Sequence, residues 1–93
     1  MQDKVGVEIR PGAFVLYAVR IGDVAHLNIG RVQAIKGDKI KVLGVEDYLY
    51  RYNYPLKLKQ RAGYLEHPDR VVVLGNVPKE YYELLSGVEC TGL

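Results

Sequence analysis

The chain has a single cysteine, no tryptophan, one phenylalanine, one serine and one threonine among its 93 residues. A lone thiol, Cys90, closes no intrachain disulfide, which points to a reducing compartment. Ser86 and Thr91 stand alone as hydroxyl nucleophiles of their kinds, and both lie near the end of the sequence. The two histidines, His26 and His67, bring no nucleophile–base–acid order with them. Glu66-His67-Pro68-Asp69 holds acid and base types, but neighbours on a turn do not converge on one reacting atom. No ligand pair sits at zinc spacing and no glycine-rich phosphate loop is present, so no metal and no cofactor is expected. Apolar runs stop well short of the ~18 residues of a membrane span. The stretch Met1–Gly12 has no apolar segment after a basic start, unlike a signal peptide. These absences predict a non-enzymatic, cytoplasmic protein.

What is present suits one small domain. At this length a second core does not fit, and 48% hydrophobic residues suffice to close one. The net charge of +2 is too small to indicate a polyanionic partner by itself. Its distribution is uneven. Residues 31–61 carry eight cations against three carboxylates, whereas residues 62–93 carry two cations against five carboxylates.

Read in order, Val5, Val7 and Ile9 alternate with polar residues and glycine, as a short edge strand or ordered arm, before the turn Arg10-Pro11-Gly12. Ala13–Val19 is a nearly continuous apolar run and predicts a strand buried on both faces. Arg20–Asn28 reads as a loop around Gly22-Asp23. Ile29–Lys36 reads as a strand with a bulge near Gly30. Gly37-Asp38 supplies the positive φ of a primed two-residue turn, making Lys39–Val45 the hairpin partner, with Lys39 and Lys41 outward and Ile40 and Val42 inward. Tyr48–Tyr52 and Leu56–Leu58 read as short arms of an extended excursion. His67-Pro68-Asp69 is a turn, and Arg70–Leu74 another strand buried on both faces. Residues 78–86 form the one helical pattern. Tyr81, Leu84, Leu85 and Val88 give it an apolar side, expected to cap one open end of a barrel.

About five short strands, tight turns and one short C-terminal helix predict an all-β fold, a small barrel whose core spans about residues 9–75. The order of the pieces resembles SH3-like barrels of the KOW and Tudor kind: Pro11-Gly12-Ala13-Phe14-Val15, then Gly30-Arg31-Val32, the Gly37-Asp38 hairpin and the late Val71-Val72-Val73. A Tudor-type resemblance implies an aromatic cage, for which Tyr17, Tyr48 and Asp47 are available. The runs PGAFVLYAV, LNIGRV and LEHPDRVVVL also look like small accessory proteins of actinobacterial phages, which implies a host cytoplasm and a host protein as target.

The densest feature is Asp47–Arg61. Tyr48, Tyr50, Tyr52 and Tyr54 fall at every second position, so an extended chain lines them on one side. Three readings are open: the stripe packs on the barrel as ordinary strand residues, it forms a protein-contact surface, or its rings stack on single-stranded nucleic acid. The preferred expectation is a binding module that engages a protein partner or a second copy of itself through Tyr48, Leu49, Tyr50, Arg51, Tyr52 and Tyr54. The alternative is a salt-sensitive nucleic-acid binder using Arg31, Lys39, Lys41, Lys57, Lys59 and Arg61.

Overall fold

Two Gly-Asp dipeptides set the course of the chain. β1 (Phe14–Ile21) turns through Gly22-Asp23 into β2 (Val24–Lys36), and β2 turns through Gly37-Asp38 into β3 (Lys39–Glu46). Gly22 at φ 61° and Gly37 at φ 64° adopt the left-handed backbone that such two-residue loops require. The expected loop at Arg20–Asn28 is thus corrected to a second hairpin. Its residues pair with β1 from Arg20↔Ala25 to Tyr17↔Asn28. They lack clean alternation because one of the inward positions is Asn28. The structure, a computed structural model, describes residues 1–46, 56–58 and 64–90.

β2 serves two neighbours in turn. Val24–Arg31 pairs with β1 and Gly30–Lys36 with β3. The bulge falls between Val32 and Ala34, later than the expected position at Gly30. Gly30 answers a different need: a Cβ there would lie 2.8 Å from Tyr17 Cε1 and 2.9 Å from the Leu43 carbonyl oxygen. Gly44, its register partner, likewise sits under the phenol of Tyr17. The two glycines form the floor on which the ring lies.

β4 (Lys57–Leu58) pairs with the end of β3 and β5 (Tyr64–Glu66) with its start. A 3-10 turn, Pro68–Arg70, leads into β6 (Val71–Leu74), which returns to the outer side of β1. The result is a six-stranded antiparallel sheet ordered β4-β3-β2-β1-β6, with β5 also on β3. The all-β class with one short helix therefore stands. Among the described residues the sheet is not closed into a barrel: β3 divides its outer edge between β4 and β5, and β6 meets the N-terminal arm instead of a further strand.

Alternation along the strands makes two faces. The first buries Val15, Tyr17, Val32, Ile40, Val42 and Val71, joined by Ile9 from the arm. The second holds Leu43 and Val45 against Leu85 and Val88, with Phe14, Ile29, Leu56, Leu58, Tyr81 and Leu84 around them. α1 (Lys79–Leu85) starts after Pro78, which cannot extend a helix backwards, and carries Glu80 in its first turn, where a carboxylate favours the helix dipole. Its apolar side is the expected one, but it does not cap a barrel end. It lies on the second sheet face, against β2, β3 and β4. Arg31 fixes it there: Nε donates to the Gly12 carbonyl at 2.9 Å and Nη1 to that of Leu85 at 3.1 Å, while the guanidinium stands 5.2 Å from the Phe14 ring centre.

Residues 1–9 form the ordered arm. Gln2 bridges Glu8, the Asp3 amide donates to the Val7 carbonyl at 2.8 Å, and the Ile9 amide to that of Met1 at 2.8 Å. Asp3 is buried at 6% exposure. Its Oδ1 accepts the amides of Val5 (3.0 Å) and Val7 (2.8 Å), and its Oδ2 accepts that of Val73 across on β6 (2.7 Å). Burial pushes the Asp3 pKa up, but the amides of Val73, Val7, Val5 and Gly6 outweigh it and hold the carboxyl below its ordinary value. β6 itself was expected to be buried on both faces. Only Val71 is buried, and Val72, Val73 and Leu74 are half-buried because the strand is the sheet's margin.

Candidate functional site

The tyrosine contact set Tyr48, Leu49, Tyr50, Arg51, Tyr52 and Tyr54 lies outside the described residues, as do Lys59 and Arg61. The remaining cations of the nucleic-acid alternative divide between the two faces. Arg31 is half-buried with its guanidinium on backbone carbonyls. Lys39 and Lys41 share the second face with Lys36, which stands opposite Lys39 in register. Lys57 pairs with Glu46, one step out of phase with Val45 and Leu58, and so belongs to the opposite face. Lys36 and Lys41 border a hollow of about 140 Å³ with Gln33, Ala34 and Glu89, and the carboxylate offsets part of their charge.

The larger exposed feature is apolar, and sequence reasoning missed it. α1 is seven residues long, about 10 Å at 1.5 Å per residue, and covers only the part of the second face around Leu43 and Val45. Beyond it the same face continues across three strands. Leu16 stands opposite Ile29 on β2 and Val72 on β6, Ala18 opposite Leu27, and Phe14 opposite Leu74. Every one of these residues is apolar. Ala18 is exposed, Leu27 is 65% exposed, and Leu16, Val72 and Leu74 are half-buried. Tyr82, 54% exposed, extends the patch from the helix, its ring centre 5.8 Å from that of Phe14. Single exposed apolar residues are ordinary, whereas here several neighbouring positions of one face are apolar and at least partly open to solvent. The signal in the sequence was the unbroken run Ala13–Val19, which supplies apolar residues to both faces while only one has a complete cover.

The first face offers no such opening. Tyr17, at 1% exposure, is a core residue and is not available to an aromatic cage of the Tudor kind. Beside it Asn28, also 1% exposed, has neither Oδ1 nor Nδ2 hydrogen-bonded among the described residues. The side chains considered for catalysis stand on separate elements. Ser86 Oγ donates to the Glu83 carbonyl at 3.1 Å and Cys90 Sγ to that of Val88 at 3.5 Å. His26 is on β2 opposite Val19, and His67 precedes the 3-10 turn. No group of three His, Cys, Asp or Glu side chains among the described residues is placed to hold a metal ion. Among the described residues no helix is long and apolar enough to cross a membrane.

No protein-family model matches the chain, and no curated protein or solved structure does either.

Proposed function

We propose that this domain is a non-enzymatic binding module that engages a protein partner, in the first instance a second copy of itself. Its contact surface is the uncovered part of the second sheet face together with the stretch Tyr48–Tyr54. The observation that carries this reading is the apolar set Leu16, Ala18, Leu27, Val72 and Leu74, with Leu27 on β2 standing 65% exposed beside Ala18. Burying such a side chain against a partner is worth ~1.5–3 kcal/mol; the set itself is uncharged, and Lys4, Glu66, Asp69 and Arg70 form its margin beside Ala18 and Val72. Under this proposal the sheet is a scaffold of the SH3-like type, and a phage-encoded accessory protein acting on a host protein in the cytoplasm is the setting that fits it.

The test is light scattering over a concentration series. The wild-type mass is expected to rise toward a dimer, and Leu27→Glu is expected to stay monomeric with an unchanged circular dichroism spectrum. A Tyr50→Ala/Tyr52→Ala variant measures the share of the tyrosine stretch. Equal masses for all three proteins would falsify the surface. The cluster of Lys36, Lys39 and Lys41 favours the nucleic-acid reading. Retention of labelled single strands that fades with added salt would select it.

A further inference from the structure

The margin of the sheet at β6 is covered in an unusual way. A free strand edge presents alternate N–H and C=O groups that another strand can take. On β6 these outward groups belong to Val71 and Val73, whose neighbours Val72 and Leu74 stand opposite Leu16 and Phe14 of β1. The Val71 amide donates back to Pro68, the Val71 carbonyl accepts the Lys4 amide at 2.9 Å, and the Val73 amide donates to Asp3 Oδ2 at 2.7 Å. The arm thus holds the place of a sixth ladder partner with one backbone amide and one carboxylate oxygen. Asp3 Oδ2 stands where a neighbouring strand would put a carbonyl. Beneath this cover lies Val71-Val72-Val73-Leu74, a run with high β-propensity, no charge and no proline, which is the composition that pairs with itself when exposed.

We propose that residues 1–9 are an acid-released cover over a strand-pairing edge, with Asp3 as the latch, and that the uncovered edge takes β6 of a second copy in antiparallel register. An antiparallel β6–β6 contact is related by a twofold axis, so each copy offers the same groups it receives. The hinge is Arg10-Pro11-Gly12, where Gly12 already adopts φ 95°. Adding a proton to Asp3 removes the charge that three amide donors from two elements share. The folded-state pKa of Asp3 lies below that of the unfolded chain, so its hold is complete above about pH 3.9 and is lost as pH falls through the lowered value. The other ionisable groups of this region are the Met1 ammonium, which donates to Glu8 Oε1 at 3.1 Å on the arm, and Lys4, Glu66, Asp69 and Arg70, which border one hollow beside the start of β6. This contact uses the edge of the sheet and does not rest on the face described above.

The experiment removes the face first, with Leu27→Glu, and compares that protein with Leu27→Glu/Asp3→Asn. Asparagine cannot replace the carboxylate, because its Nδ2 would turn a donor toward an N–H of the arm or of Val73. In the double variant the Val73 amide is expected to exchange with solvent about tenfold faster or more relative to Val42. Val32 and Val42 keep their protection, and light scattering shows a dimer in which Val73 regains protection as protein concentration rises. Acidifying Leu27→Lys, whose charge persists at low pH, to below the lowered Asp3 value gives the same two changes without a substitution at Asp3. Unchanged protection of Val73, loss of protection at Val32 and Val42 together with it, or release of the arm without association would each overturn the proposal.

Discussion

The two faces of the sheet are built from the same strands and differ by a single step in sequence. On the first, Val15, Tyr17, Val32, Ile40 and Val42 are 0–1% exposed, and the Tyr17 ring is laid over Gly30 and Gly44. On the second, a helix of two turns shields Leu43 and Val45 but stops before Ala18 and Leu27. On the first face the exposed apolar residues, Val24 and Ile35, stand near the hairpin turns, away from the centre at Tyr17. The other face leaves Ala18 and Leu27 exposed among the described residues.

The comparison breaks most visibly at Gly30. Gly30→Ala puts a methyl group against the Leu43 carbonyl, which is backbone, and against Val42 Cγ1 and the Tyr17 ring, both on buried residues. Overpacking of this kind costs about 1–3 kcal/mol, seen as a lowered urea midpoint at unchanged slope. Arg31→Met sharpens the account of the second face. It removes the bonds to Gly12 and Leu85 while keeping an apolar stem against Phe14. About 1 kcal/mol is expected to go, with faster exchange at the Ser86 amide, which closes the last turn of α1, and little change at Val42. The smallest effect on folding is expected at Leu27→Ser. Its side chain is mostly in water, so stability stays within about 0.5 kcal/mol of wild type while the concentration-dependent mass is lost. A loss of stability there as large as at Gly30 would show that the second face is core after all.

Much of this architecture could be read from the residues alone, and the failures have identifiable causes. Gly37-Asp38 between alternating runs announced the β2–β3 hairpin, and Ile40 and Val42 are buried as expected, while Lys39 and Lys41, expected in solvent, are half-buried on the second face. Gly22-Asp23 has the same chemistry, yet Val24–Asn28 beside it lacks the alternation of a strand, since apolar Val24 and Leu27 are exposed and polar Asn28 is buried. The helix was legible from its spacing, but its docking was not, since Arg31 reaches Leu85 across 54 residues of chain. Closure of the sheet depends on which edge each short strand joins, and two- and three-residue strands such as β4 and β5 carry too few side chains to specify that. Of the candidate site, the cations were visible as a charge run, but their division between faces needed the register Glu46↔Lys57. The apolar patch was hidden because Ala13–Val19 is apolar at every position, and an unbroken run does not say which alternate residues remain uncovered.

The sharing of β2 between two partners has a kinetic side. Its first half meets β1 across one two-residue turn and its second half meets β3 across another, so three strands assemble from contacts close in sequence. β6 must instead return to β1 from far along the chain and bears the larger loop-closure cost. The outer side of β1 is therefore the part of the sheet whose pairing, with Val71–Leu74, depends on the longest chain closure among its neighbours.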